Sequence, residues 1–194
     1  MTSQGLDVTS TTDEDRAIAT LTIAFSSDPV ARWFLRDAAR YLTYWPRTVK
    51  ALGGNAFDVG TADSISDCAA VALWVPPDGA ADFEAVEAIA VEAIPESDQE
   101  EVFGFMEQMD RYHPTERHWY LPVIGVDTTK QGGGLGSALL RHATARCDRD
   151  GLPAYLEATS PRNRRLYAAH GFEEQGVIQV GSSPPMWPML RKPR

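Results

Sequence analysis

The chain runs to 194 residues, 43% hydrophobic and 23% charged, which suits one globular domain with a full core, two small lobes being the alternative. Its formal net charge of −9 repels phosphate backbones and argues against nucleic acid as a partner. No apolar run nears the roughly 20 residues that span a bilayer, so no membrane partner is expected.

Residues 1–10 lack the basic start and apolar centre of an export signal. Cys68 and Cys147 are too few for a disulfide framework and form no metal-ligand cluster, so no metal is expected and the expected setting is reducing and cytoplasmic. Cys147 stands at helical spacing from Leu139 and Ala143, as a small buried hydrophobe would. The acidic balance is compatible with a cationic substrate such as an amine, and equally with simple solubility.

In chain order, alternation over 6–9 predicts an edge strand. Thr11 or Thr12 before Asp13, Glu14 and Asp15 starts a helix carrying Ala17, Ile18, Leu21, Ala24 and Phe25 at helical spacing to about Ser26. Asp28-Pro29 interrupts it. A short helical turn follows over 30–36, with Trp33 and Phe34. Asp37 then caps a helix to about Leu52, in which Pro46 marks a kink or a restart. Residues 56–60 and 69–75 read as antiparallel strands joined by a polar loop over 61–67, the second apolar throughout as an interior strand is. Helices are predicted over 81–93 and from Glu96 or Ser97 to Tyr112, the latter with Ser97 and Glu100 as a capping box. On it, Phe103, Met106 and Met109 share a face that either packs in the core or lines a pocket for an apolar part of a substrate. The chain closes with an antiparallel pair over 177–180 and 186–190.

The most informative stretch is 117–172. An apolar strand over 119–126 leads into Gln131-Gly132-Gly133-Gly134-Leu135-Gly136, which opens a helix to Asp150. A strand over 154–158 and a short helix ending at Gly171 follow. Clustered glycines at a helix start let backbone N–H groups converge, and the helix end adds partial positive charge, so the loop suits a pyrophosphate. It matches neither the phosphate loop of nucleotide triphosphatases nor the dinucleotide fingerprint.

The loop does match Q-x-x-G-x-G after an I-G-V-D strand end, with Asn163 and Leu166-Tyr167-x-x-x-Gly171-Phe172 downstream. On these residues the chain resembles the GNAT superfamily of acetyl-CoA-dependent N-acetyltransferases. Within it the chain looks most like puromycin N-acetyltransferase and its relatives, through Ala24-Phe25, Asp28-Pro29, Ala72-Leu73-Trp74, Leu156-Glu157, Pro161-Arg162-Asn163 and the terminal 189–193 segment. The likeness runs from about residue 6 to the end and is thinnest over 61–116.

The resemblance implies a mixed α+β fold, a mostly antiparallel sheet flanked by helices and splayed between the strands at 119–126 and 154–158. Pantetheine would pair with backbone groups of Ile124 and Val126 as an added strand does. The pyrophosphate would rest on amides of Gln131, Gly132, Gly133, Gly134, Leu135, Gly136 and Ser137. Many relatives carry Arg or Lys where this chain has Gly133, a charge that Lys130 or Arg141 would supply. Tyr167 matches the tyrosine that protonates the departing thiolate, and an amide near Val126 is the oxyanion donor. Glu157 is the candidate base or ammonium site, its alternative being a bond to Arg162, Arg164 or a loop amide; a water chain would also serve as base. Asn163 bonds the cofactor or caps its helix, and His170 serves the helix dipole.

The resulting expectation is acetyl transfer to a primary amine of a small molecule, in a closed pocket roofed by Trp33, Phe34, Tyr44 and the Phe103–Met109 face. Rival readings are a protein or peptide acetyltransferase with an open groove, and a non-catalytic acyl-CoA sensor. Homodimers are common among such relatives.

Overall fold

The computed structural model describes residues 6–194; the first half of the stretch read as lacking an export signal lies outside them. The elements are β1 (Val8–Ser10), α1 (Glu14–Ala24), α2 (Pro29–Phe34), α3 (Ala38–Gly53), β2 (Ala62–Ile65), β3 (Ala70–Val75), α4 (Phe83–Ala93) and α5 (Glu96–Tyr112). They continue with β4 (Trp119–Val126), a 3-10 turn (Thr128–Lys130), α6 (Leu135–Asp150), β5 (Ala154–Ala158), α7 (Pro161–Ala169), β6 (Glu173–Glu174) and β7 (Trp187–Arg191). The strands form one sheet in the order β1-β2-β3-β4-β5-β7-β6. Every neighbouring pair is antiparallel except β4 and β5. This is the expected mixed α/β class, a mostly antiparallel sheet between helices.

Alternation along β3 divides the core. Val71 and Leu73 face α1, α3 and α4 with Leu21, Val49, Ile89 and Val123. Ala70, Ala72 and Trp74 face α6 and α7 with Leu139, Leu140, Leu156 and Tyr167. Both faces are covered, which is why this strand is apolar throughout. A third cluster joins α2 and α5 to the chain's end through Val30, Phe105, Ile178 and Met186. Gly125 permits close packing of α1 on β4, since a Cβ there would lie 2.7 Å from that of Ala24.

Five elements differ from the sequence reading. Residues 56–60 form turns, and the strand falls at Ala62–Ile65 inside the expected loop. Its polar look hides complete burial: Asp63 lies under α6 and accepts two bonds from Arg146, at 3.1 and 3.3 Å. Helix α3 runs unbroken through Pro46; the missing N–H falls on a turn whose Leu42 is exposed. Helix α1 is capped by Asp13, and α5 starts after Pro95 with no side-chain cap, so the Ser97–Glu100 box is absent. Residues 177–180 contribute one bridge, Ile178 to Met186, while β7 pairs chiefly with β5.

Candidate active site

Strand β4 builds the site through an irregularity. Val75 pairs with Tyr120 but Leu73 with Val123, so two residue steps on β3 oppose three on β4. The extra residue puts Pro122 and Val123 on the same side of the sheet and reverses the backbone's outlook. Before it, the Trp119 amide donates toward β5, to the Pro153 carbonyl at 2.8 Å. After it, the Asp127 amide donates back to β3, to the Ala69 carbonyl at 2.9 Å. By alternation, the backbone groups of Ile124 and Val126 are directed to the other side. There β5 has parted from β4: parallel pairing stops at Leu121 and Leu156. Gln131 Nε2 donates to the Val126 carbonyl at 3.3 Å.

The gap between the parted strands is a cleft of about 510 Å³. Its lining includes Ile124, Val126, Gln131, Gly132, Gly134, Leu135, Gly136, Ser137, Asn163 and Tyr167. Gly133 is not among the lining residues, a difference from the expected cradle. Gly132 and Gly134 hold φ near +84° and +81°, and a Cβ on either would meet nothing within 4 Å. These glycines serve the loop's left-handed turns, and they leave open space beside it. Gly134 is the N-cap of α6 and supplies no side chain to its first-turn amides. The loop is thus shaped as a cradle for an anion.

Charge comes from one of the two expected cations, Lys130, and from Arg162, which the sequence offers as a partner of Glu157. Lys130 and Arg162 line the cleft, and Arg162 also donates to Gln131 Oε1 at 3.2 Å. Arg141 instead donates to Ser137 Oγ at 3.2 Å. His170 is the C-cap residue of α7; burial, then Arg141 and Arg191, hold its pKa below the ordinary value, and its Nε2 meets Ser137 Oγ at 2.7 Å. Ser160 caps α7 through the Asn163 amide, which leaves the Asn163 side chain to the cleft.

A second cavity, of about 550 Å³, lies on the α1–α5 side. Glu157 lines it, not the cleft. Neither expected arginine reaches this carboxylate: Arg162 is on Gln131, and Arg164 pairs with Glu174. Instead the Tyr120 hydroxyl donates to Glu157 Oε2 at 3.1 Å, while buried Oε1 has no partner. Burial raises the Glu157 pKa to about 7, with the Tyr120 and Tyr155 hydroxyls opposing. Phe34, Phe103, Met106 and Met109 line the cavity as expected of a roof. Trp33 and Tyr44 do not: Trp33 donates to Ser182 Oγ, and Tyr44 to Glu92.

Phe25 and Asp28 line both spaces. Asp28 caps α2 through the Val30 and Ala31 amides and accepts from the Thr159 hydroxyl. Its half-enclosed position raises its pKa, and its charge, with that of Glu157, acts on Tyr167. Tyr167 is 5% exposed, and burial raises its pKa well above the ordinary value of 10, so it keeps its proton at neutral pH. Sequence reading missed Asp28 as the junction. Its signals were the Asp-Pro pair, which reads as a helix stop, and that pair's place among the segments that carry the family resemblance. Among the described residues, no group of three His, Cys, Asp or Glu side chains is placed to hold a metal ion. No helix among them is long and apolar enough to cross a membrane.

Comparison with known proteins meets this geometry. An uncharacterised N-acetyltransferase of Schizosaccharomyces pombe is 35% identical over 81 residues, which is 40% of this chain and 33% of the yeast protein. The match therefore spans about a third of that relative's length. A solved Corynebacterium glutamicum structure, named as histone acetyltransferase HPA2 and related acetyltransferase, superposes with a TM-score of 0.67 at 25% identity, covering 96% of both chains. Arylalkylamine N-acetyltransferase 2 of Aedes aegypti shares the fold, with a TM-score of 0.66 at 13% identity over 97% of this chain and 99% of the mosquito protein. The model of the GNAT acetyltransferase family matches residues 67–172, more than half of the chain. On that match, with the parted strands and the glycine cradle, the chain belongs to the GNAT family of acetyltransferases.

Proposed function

We propose that this protein is an acetyl-CoA-dependent N-acetyltransferase that moves the acetyl group directly to a primary amine of a small molecule. One observation carries the reading: two cavities, one cradle-lined and one holding a carboxylate, meet at Phe25 and Asp28 close to Tyr167. Acetyl-CoA would supply the thioester. The open space beside Gly132 and Gly134 and the uncapped start of α6 fit its pyrophosphate, with Lys130 and Arg162 as counter-charges. Ile124 and Val126 offer backbone groups to pantetheine, and the Val126 amide serves as oxyanion donor.

The protein's own groups then manage two protons. An ammonium must lose one before nitrogen can attack, and a carboxylate titrating at about 7 is poised to take it at neutral pH. The leaving thiolate needs one, and Tyr167 holds a proton beside the cleft. Closeness of the two substrates supplies most of the remaining acceleration. A cavity walled by four helices, α2 to α5, favours a small acceptor over a protein surface. An aminonucleoside is one candidate, on the sequence resemblance to puromycin N-acetyltransferase alone. Two free, buried cysteines fit a reducing, cytoplasmic setting, and a sheet shared by both cores fits a single domain.

Thiol release from acetyl-CoA should be followed with a panel of amines that includes puromycin and a lysine peptide. Turnover is expected with a small amine, falling at least about tenfold in Tyr167→Phe. Unchanged turnover in that variant removes Tyr167 from the acid role. Acetyl-CoA binding without turnover on any amine would favour a sensor.

A further inference from the structure

The cavity that holds Glu157 has a marked chemical polarity. Its walls are apolar: Phe34, Leu35, Trp45, Phe103, Met106 and Met109 contribute, and the lining contains no lysine or arginine. Helices α4 and α5 each bring a pair of carboxylates one turn apart, Glu84 with Glu87 and Glu107 with Asp110. Glu107 pairs with Arg111, whereas Glu84, Glu87 and Asp110 make no ion pair among the described residues. All four are exposed. A second observation lies at the inner end. Glu157 Oε1 is buried without a hydrogen-bond partner, as is the Tyr155 hydroxyl beside it, an arrangement that is costly unless a donor arrives.

We propose that this cavity binds a monoamine with an extended apolar body, drawn in past the α4 and α5 carboxylates so that its nitrogen donates to Glu157 Oε1. The assignment rests on the acetyl-transfer reading of the neighbouring cleft for its consequence, though not for the binding itself. The volume of about 550 Å³ suits a drug-sized body. An apolar wall removes such a body from water, which favours its binding in proportion to the apolar area covered. A polyamine such as spermidine would leave its middle ammonium against phenylalanine and methionine even with its outer one at the rim carboxylates, and a peptide would leave backbone N–H and C=O groups there unpaired. Both classes are therefore disfavoured by the same walls. His113, also on the lining, is held neutral at about pKa 4, chiefly by burial, so it adds no repelling cation at neutral pH.

The test is a calorimetric titration of the whole protein at low salt with phenylbutylamine, spermidine and a blocked lysine peptide. Phenylbutylamine should bind at least tenfold more tightly than either of the others. Reversing the exposed rim charge in Glu84→Lys/Glu87→Lys should weaken it at least threefold and leave acetyl-CoA affinity unchanged. Filling the cavity in Met106→Trp should abolish its binding. Tighter binding of spermidine or the peptide, no binding of phenylbutylamine, or indifference to both variants would overturn the proposal. Phenylbutylamine that binds as expected yet releases no thiol from acetyl-CoA would uphold this assignment and count against the acetyl-transfer reading. A spermidine-acetylating enzyme would do the reverse.

Discussion

Glu157 concentrates the physics of the site. In the unfolded chain it ionises near 4.5, and in the fold it keeps its proton to about 7. Between those values the folded state binds more protons than the unfolded one, so stability falls as pH rises through that window and levels off above it. Glu157→Gln keeps a donor and acceptor but removes the ionisation. The variant should gain on the order of 3 kcal/mol over the parent at pH 8 and nothing near pH 4. Urea unfolding of both proteins at the two pH values reads this directly; a pH-independent difference would mean that Glu157 ionises normally. The carboxylate stood out in the sequence because its strand is otherwise apolar. Its partner was not legible there, since Tyr120 lies on β4 and reaches it only through the parallel pairing of β4 with β5.

At the scale of elements, the loop-and-helix cradle was readable because its glycines are local. Positive φ at Gly132 and Gly134 and an uncapped helix start need no distant partner. The bulge in β4 was not readable, although it decides which backbone groups face the gap; it depends on pairing with β3. Strand β2 failed for a related reason. Ala62-Asp63-Ser64 looks like a loop until Arg146, on α6, covers Asp63, which is only 2% exposed. Removing that cover should be costly. Arg146→Ala should lose about 3 kcal/mol in urea unfolding, because it strands a buried carboxylate. A loss below about 1 kcal/mol would mean that Asp63 is protonated or solvated in the fold.

Across the whole molecule, the sheet separates two kinds of chemistry and lets them meet at one place. The α6–α7 side carries the cleft with its glycine loop and cations, and the α1–α5 side carries the apolar cavity with its carboxylates. Phe25 and Asp28, at the end of α1 and the start of α2, belong to both. The first side was legible from one continuous stretch of chain. The second is assembled from α2 to α5, β4 and β5, and such a cavity leaves only scattered apolar and acidic residues in the sequence. The central claim is that the cleft receives acetyl-CoA. Calorimetric titration with acetyl-CoA tests it most directly. One molecule should bind per chain, and Gly134→Val, which forces a branched side chain into a left-handed turn, should weaken binding at least about tenfold while the protein stays folded. Absence of binding by the parent protein, or equal binding by the folded variant, would contradict the account.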